Sequence, residues 1–318
     1  MLRDPHQGIN ITGLAHGKPA VGPAASTDRG HYVQQSHFVT SPEIFFDAGE
    51  TFLLPGRIRQ RLPAIEENAT NERQRHDEVC LVIEVGGAAI GIVCKAPQPG
   101  RSKTRLARAI GAAAASELSA CFVRDVAAAI EAVPEMLGRR GYGVYAPAGT
   151  EDIMRQLLPP GFGLLLQAGA DLGHVLTGAT RAFLSAGHDC MLLVNGDSPT
   201  LPPRLLTQAI EILRQPGDHM VLGPASDGGY YLIGLKHPHP RLFERIAWGT
   251  DSVARATRER AAEIGLATTL LAEWYDVDDV QTLRWLQEEL FGHSTRFRGG
   301  AVALASRAFL KAAPQISP

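Results

Sequence analysis

Residues 88–106 read AAIGIVCKAPQPGRSKTRL, an apolar run that ends in a Pro- and Gly-rich loop. The small and β-branched residues at 88–94 predict a short buried strand. The Ala-rich stretch that follows, at about residues 104–133, predicts a helix. A buried strand, a tight loop and a helix in this order form the opening unit of a parallel α/β sheet.

The same alternation of apolar runs and helical stretches continues to about residue 290. Continuous apolar runs, rather than alternating ones, predict strands that are buried on both faces of a sheet. We therefore predict an α/β fold: a single mostly parallel (mixed) sheet with helices on both faces, which binds ligands at the carboxyl ends of its strands. The further strands are predicted at 142–146, 163–167, 190–194, 220–223, 230–235 and 267–271, and the further helices at 151–158, 172–186, 204–214, 252–264 and 280–290.

The composition is ordinary for a globular protein, with 45% hydrophobic and 20% charged residues. The formal net charge of −2 gives no global field that would attract nucleic acid or an anionic membrane, so neither is an expected partner. No apolar run approaches a membrane span, the N-terminus lacks the apolar region of a signal peptide, and the four cysteines show no CxxC spacing. These features predict a cytoplasmic protein with reduced cysteines.

Residues 1–85 differ in texture from the rest of the chain. They are rich in Gly, Pro, His, Ser, Gln and Thr, and they show no sustained helical or strand period. We predict a largely disordered extension at 1–85, a folded α/β domain at 86–292, and a tail at 293–318 with a short helix near 301–312.

The loop after the first predicted strand is strongly basic. It carries Lys95, Arg101, Lys103 and Arg105, and Gly100 shapes its turn. The loop leads into a helix, whose unpaired backbone N–H groups and positive dipole end favour anions. The pattern predicts a site for a di- or triphosphate, although the GxxxxGKS/T order of a Walker A loop is absent. The alternative is a solvated basic turn.

Carboxylates follow two of the later apolar segments. Asp197 comes directly after the run 191–194, and Asp276 and Asp278 lie two residues apart in an extended segment, where they face the same way. Mg²⁺ and Mn²⁺ favour oxygen ligands and nucleotide phosphates, so these three residues are candidate metal ligands. The alternatives are a turn or capping role for Asp197 and a cluster that caps the next helix, a role that suits Asp279.

The sequence Asp227-Gly228-Gly229-Tyr230 lies between two predicted strands. Adjacent glycines allow close approach of a ligand or a turn with positive φ. Asp227 can accept a hydrogen bond from a ribose, sugar or acceptor hydroxyl. The alternative is a simple hairpin turn.

Three further residues are candidates for contact with a nucleotide. Trp248 can stack on a base or sugar, or pack in the core. Gln167 and Asp171 follow the third predicted strand, and they either contact the nucleotide or cap the following helix.

The order of these motifs resembles a family of glycosyltransferase-A-like proteins, whose bacterial members are often labelled glycosyltransferases and are in some cases linked to arsenosugar biosynthesis. The chain is more distantly similar to phospholactate and molybdenum cofactor guanylyltransferases, at the basic loop and at the Gly-Asp-x-Pro turn. The matching segments are 95–106, 196–201, 223–235, 248–250 and 276–278.

The resemblance implies a nucleotide-diphospho-sugar transferase architecture (GT-A, Rossmann-like) for residues 86–292, with Mg²⁺ or Mn²⁺ as cofactor. It also implies that Asp197 and Asp278 hold the metal. One departure concerns residues 197–199, which read Asp-Ser-Pro where glycosyltransferases usually carry a DxD motif. The cations that would hold phosphates are Lys95, Arg101, Lys103 and Arg105.

Two reactions agree with these motifs. In the first, which we favour, a sugar moves from a nucleoside diphosphate sugar to a small-molecule acceptor, and Asp197 and Asp227 are the catalytic residues. The metal held by Asp197 would stabilise the leaving diphosphate, and Asp227 would orient or deprotonate the acceptor hydroxyl. The alternative is guanylyltransferase-like nucleotidyl transfer, in which a phosphorylated acceptor attacks a nucleoside triphosphate and pyrophosphate leaves. A non-catalytic nucleotide-binding module is a third possibility, against which the intact set of carboxylates argues.

Overall fold

The structure is a computed structural model that describes residues 86–292, 294 and 296–313. Its strands are β1 (Ala88–Lys95), β2 (Arg140–Ala146), β3 (Gly163–Leu166), β4 (Cys190–Asn195), β5 (His219–Pro224), β6 (Tyr230–Leu235) and β7 (Ala267–Leu270). They form one seven-stranded sheet in the order β3-β2-β1-β4-β6-β5-β7. Only β6 runs antiparallel to its neighbours, so the predicted mostly parallel, mixed sheet is confirmed.

Helices cover both faces of this sheet. They are α1 (Thr104–Ile110), α2 (Ala112–Glu131), α3 (Glu151–Leu157), α4 (Leu172–Ser185), α5 (Pro203–Leu213), α6 (Val253–Glu263), α7 (Val280–Leu290) and α8 (Leu304–Ala312). The larger core lies on the face covered by α2, α3, α5, α7 and α8, and the smaller core lies under α4 and α6. The strands are buried on both sides by these layers, which explains their continuous apolar runs.

The single helix predicted at 104–133 is in fact two helices. Gly111 separates α1 from α2 with φ 87° and ψ 153°, a conformation far from helical. Glycine reaches this region without the steric cost of a Cβ atom. The break leaves α1 as a short helix that directly follows the basic loop.

The direction of the strands determines where the connecting loops meet. Since β5 pairs antiparallel with β6, and β6 with β4, strands β1, β4, β5 and β7 all point the same way. The β5–β6 hairpin turn therefore lies at the same edge as the carboxyl ends of those four strands. Ligand sites of open α/β sheets form at this edge.

The described part of the tail packs onto the domain through a buried carboxylate. Asp125 of α2 is 4% exposed, and its two oxygens accept the backbone N–H groups of Ala305 (2.9 Å) and Ser306 (2.8 Å). The residue before α8, Ala303, has no side chain that could cap the helix. Asp125 therefore acts as a cap supplied from another helix.

Replacing Asp125 with alanine is expected to lower the free energy of unfolding by about 2–3 kcal/mol, because two backbone N–H groups at the start of α8 lose a charged acceptor. Urea unfolding of the variant measures this loss. Glu117→Ala is the matched control, since Glu117 is exposed on the same helix. Equal unfolding midpoints for the two variants would show that Asp125 does not anchor α8.

The disordered extension predicted at 1–85 falls outside the residues that the structure describes.

Among the described helices, none is long and apolar enough to cross a membrane. Cys94, Cys121 and Cys190 are buried free thiols, and burial raises the pKa of Cys94 to about 12, so its thiol stays protonated and unreactive.

Candidate active site

Four loop segments meet at the edge where β1, β4, β5 and β7 end. They are the loop after β1, the turn after β4, the β5–β6 hairpin turn and the segment after β7. Backbone hydrogen bonds fasten the last segment to two of the others, from Val277 N to Asp197 O (2.9 Å) and from Ser226 N to Trp274 O (3.0 Å). Residues far apart in sequence thereby form one site.

Lys103 connects the basic loop to the two carboxylate segments. It precedes α1 in a left-handed conformation (φ 49°, ψ 52°), and its side chain is only 5% exposed. Its Nζ lies 2.8 Å from Asp197 Oδ2 and 2.6 Å from Asp278 Oδ1. Although burial alone would lower it, the pKa of Lys103 is raised by Asp197 and Asp278, so the ammonium stays charged.

The remaining cations of the loop face solvent. Lys95, Arg101 and Arg105 are exposed around the turn at Gly100, whose φ is 74°. Ser102 is buried and accepts a backbone N–H from within the loop at 2.9 Å. The loop thus holds one cation inside and presents three outside, where phosphates can reach them.

Asp276 lines a cleft beside the carboxylate pair. Burial, followed by the negative charges of Asp227 and Asp278, raises its pKa to about 7, and the Lys103 charge offsets only part of this effect. Asp276 therefore takes up a proton more readily than an ordinary carboxylate, mainly because it is buried.

The predicted metal ligands are only partly brought together. Within the described ranges, no group of three or more His, Cys, Asp or Glu side chains is placed to hold a metal ion. Asp197 and Asp278 share the Lys103 ammonium, whereas Asp276 lines the cleft. The pair still fits Mg²⁺, which proteins usually bind through one or two carboxylates with substrate phosphates and water as the other ligands. Asp197 and Asp278 are 39% and 43% exposed and are open to such partners.

The Asp-Gly-Gly turn is locked against the start of α6. Asp227 Oδ1 accepts the N–H of Gly229 (2.8 Å), and Gly228 O accepts the N–H of Ala254 (3.0 Å). Gly228 has φ 87°, and a Cβ atom there would lie 2.1 Å from the carbonyl oxygen of Asp251. The turn therefore requires glycine at this position and holds the exposed Asp227 carboxylate in a fixed place.

A cleft opens beside this turn, under α4 and the segment that leads into α6. Its walls are largely apolar, and the two carboxylates of Asp227 and Asp276 lie among them. No Lys, Arg or His belongs to the described residues that line it. The lining residues are Val93, Leu172, Leu176, Leu193, Asn195, Asp227, Gly229, Tyr230, Ile233, Trp248, Gly249, Thr250, Val253 and Asp276.

Two aromatic residues that were candidates for ligand contact, Trp248 and Tyr230, line this cleft. Trp248 is half-buried and presents part of its ring to the cavity, as a stacking role requires. Tyr230 also lines it, and burial raises the pKa of its phenol, so the hydroxyl remains neutral.

Gln167 and Asp171 have structural partners. Gln167 Nε2 donates to the carbonyl oxygens of Cys94 (2.9 Å) and Val144 (2.8 Å), which closes the ends of β1 and β2. Asp171 Oδ1 accepts the N–H of His174 (2.9 Å) and caps α4. Asp171 thus takes the capping role of the alternative, whereas Gln167 links two strands and caps no helix. Nucleotide contact by either residue stays a prediction.

Sequence reasoning missed Asn195 and the α4 residues of the cleft wall. Asn195 ends β4, and its Nδ2 donates to Tyr230 O at 3.2 Å. The sequence offered one signal for it, because Asn195 is a polar residue at the end of an apolar run and directly precedes Gly-Asp. Leu172 and Leu176 gave no such signal, because apolar residues at helical spacing are ordinary core positions.

Comparison with known proteins agrees with the fold. Residues 130–250 match the model of a family described as "Uncharacterized protein conserved in bacteria (DUF2064)". A provisionally assigned nucleotide-diphospho-sugar transferase from Desulfovibrio desulfuricans G20 is 28% identical, with a TM-score of 0.62 over 72% of this chain and 96% of that one. The chain therefore has the nucleotide-diphospho-sugar transferase fold. No curated protein sequence matches it.

More distant solved structures are similar to this chain as well. A CMP:2-keto-3-deoxy-manno-octonic acid synthetase complexed with CTP is 12% identical, with a TM-score of 0.43 over 63% of this chain and 97% of that one. Glucosyl-3-phosphoglycerate synthase from Mycobacterium tuberculosis, in complex with Mn²⁺ and UDP, is 10% identical, with a TM-score of 0.38 over 70% and 79%. These structures are too distant to distinguish sugar transfer from nucleotidyl transfer. The link to arsenosugar biosynthesis also stays a prediction.

Proposed function

We propose that this domain transfers a sugar from a nucleoside diphosphate sugar to a hydroxyl group of an uncharged small molecule. The donor diphosphate would lie at the basic loop, and the acceptor would enter the cleft beside Asp227. The proposal is supported by the fold, by the carboxylate pair at the strand ends, and above all by the charge of the cleft.

The absence of cations from the described cleft lining carries the choice between the two reactions. The guanylyltransferase-like alternative needs a phosphorylated acceptor next to the α-phosphate, whereas sugar transfer needs only a hydroxyl. An anion about 4 Å from the Asp227 carboxylate would experience a repulsion of roughly 4 kcal/mol at an effective dielectric constant of about 20. A neutral hydroxyl would instead find carboxylates that can accept its hydrogen bond. The cleft thus favours sugar transfer.

The residues at the edge of the sheet take distinct roles in this reaction. Lys103 and the exposed Arg101 would bind the diphosphate, and the Asp227 carboxylate would orient the acceptor hydroxyl and accept its proton. The hydrogen bond from Gly229 N fixes the direction of that carboxylate. A divalent cation at Asp197 and Asp278 would act as a Lewis acid for the leaving diphosphate.

Nucleotidyl transfer remains the second candidate, and one observation favours it. The loop after β1 carries four cations, which are Lys95, Arg101, Lys103 and Arg105. Four cations suit a triphosphate better than a diphosphate. The two reactions differ in donor and in product, which makes them separable by binding and by product analysis.

Thermal unfolding with Mn²⁺ or Mg²⁺ and a panel of nucleoside diphosphate sugars and triphosphates tests the proposal. A ligand at about 100 times its Kd adds roughly 2.7 kcal/mol to the stability. That amount corresponds to an increase in Tm of about 5–10 °C for a domain of this size. We expect a metal-dependent increase with one diphosphate sugar, and no such increase with Asp197→Asn. An increase confined to a triphosphate would overturn sugar transfer.

A further inference from the structure

The Lys103 ammonium occupies the position between the two carboxylates that would hold a divalent cation. It contacts one oxygen of each, at 2.8 Å and 2.6 Å. The lysine side chain is almost fully buried, whereas both carboxylates are partly open to solvent. The pair is therefore bridged by a cation of the protein itself, on its inner side.

A divalent cation bridging the same pair would meet this ammonium at close range. Asp197, Asp278 and Lys103 together carry a net charge of −1, whereas the two carboxylates without the lysine carry −2. A divalent cation and an ammonium at this range repel one another twice as strongly as two unit charges would. A metal would therefore bind poorly while the lysine bridges the carboxylates.

Phosphates can remove this repulsion, because they offer the Lys103 ammonium another anionic partner. The basic loop that contains Lys103 also presents Arg101 and Arg105 to solvent. A diphosphate bound there would bring negative charge next to the ammonium and supply the remaining oxygen ligands that Mg²⁺ prefers.

We propose that Lys103 and the divalent cation are alternative occupants of the Asp197–Asp278 pair, and that the phosphates of the donor admit the cation by drawing the lysine away. Donor and metal then bind cooperatively, and each raises the affinity for the other by the same factor. The biological meaning of this exchange rests on the proposed function, but the exchange itself rests on the carboxylate pair alone.

Mn²⁺ binding without any nucleotide tests the exchange directly. The electron paramagnetic resonance signal of free Mn²⁺ gives the dissociation constant for the wild type and for Lys103→Met. We expect the variant to bind Mn²⁺ at least tenfold more tightly, and Lys103→Met/Asp278→Asn to lose that gain. Lys311→Met removes the same charge from an exposed site on α8 and is expected to leave the wild-type affinity unchanged. Equal affinities of the wild type and Lys103→Met would overturn the proposal.

Two further steps keep the test decisive if Lys103→Met fails to fold. Lys103→Gln also removes the charge but retains an amide that can donate to the carboxylates, and it is expected to show the same increase in Mn²⁺ affinity. The chain has only five lysines, so their ε-carbon signals can be resolved by NMR in the wild type. Mg²⁺ with UDP is expected to shift the Lys103 signal. An unshifted signal in a sample that Mg²⁺ and UDP stabilise against heat would contradict the exchange without touching the proposed function.

Discussion

Replacing Asp197 with asparagine is expected to lower turnover by a factor of about 1000 or more while the domain stays folded. The substitution removes one of the two carboxylates that would hold the cation, and a thousandfold loss corresponds to about 4 kcal/mol of transition-state stabilisation. The asparagine keeps the backbone carbonyl that accepts the N–H of Val277. Initial rates of donor consumption, together with thermal unfolding of the same samples, measure both parts of this prediction.

Asp152→Asn is the matched control for that substitution. Asp152 lies in the first turn of α3, is exposed, and belongs to neither the carboxylate pair nor the cleft lining. It is expected to keep the wild-type rate. Turnover by Asp197→Asn at the rate of this control would remove Asp197 from the reaction and with it the proposed cation site.

Replacing Gly228 with alanine is expected to lower the free energy of unfolding by at least about 3 kcal/mol and to abolish turnover. A left-handed alanine alone costs roughly 1–2 kcal/mol, and its Cβ would lie 2.1 Å from the carbonyl oxygen of Asp251. Backbone on one side or the other has to move, because that oxygen belongs to the main chain at the start of α6. The Asp227 carboxylate would move with it.

Gly265→Ala separates the two contributions. Gly265 has φ 67°, and a Cβ atom there would meet nothing within 4 Å. This control is expected to lose only about 1–2 kcal/mol, the conformational cost alone. Urea unfolding of both variants measures the difference. A Gly228→Ala variant no less stable than Gly265→Ala would show that the hairpin turn is not held against α6 as described.

The sheet could be predicted from the sequence because its strands are buried on both faces and read as continuous apolar runs. The runs around Cys190–Asn195 and Tyr230–Leu235 gave the strand positions to within a residue. The direction of each strand was harder to predict, because an apolar run does not indicate direction. Strand β6 runs antiparallel to both of its neighbours, β4 and β5, and its sequence does not show this. The break at Gly111 was missed because an isolated glycine is tolerated within many helices.

The candidate site could be predicted as a set of segments but not as a set of contacts. The basic loop, Asp197, the Asp-Gly-Gly turn and the later carboxylates all lie at the same edge, as the parallel-sheet rule requires. The sequence could not show that Lys103, alone among four nearby cations, turns inward to bridge Asp197 and Asp278. That contact spans 175 residues and depends on the left-handed turn before α1.

The fate of the donor phosphates tests the central claim most directly. The domain is incubated with Mg²⁺, the donor found by thermal unfolding, an equal amount of the nucleoside triphosphates and the small-molecule fraction of a cell extract as the source of acceptor. The reaction is followed by ³¹P NMR, with Asp197→Asn as the blank. Sugar transfer is expected to replace the signals of the nucleoside diphosphate sugar by those of the free nucleoside diphosphate, with the triphosphates unchanged. Release of pyrophosphate from a triphosphate while the diphosphate sugar stays intact would contradict the claim and establish nucleotidyl transfer.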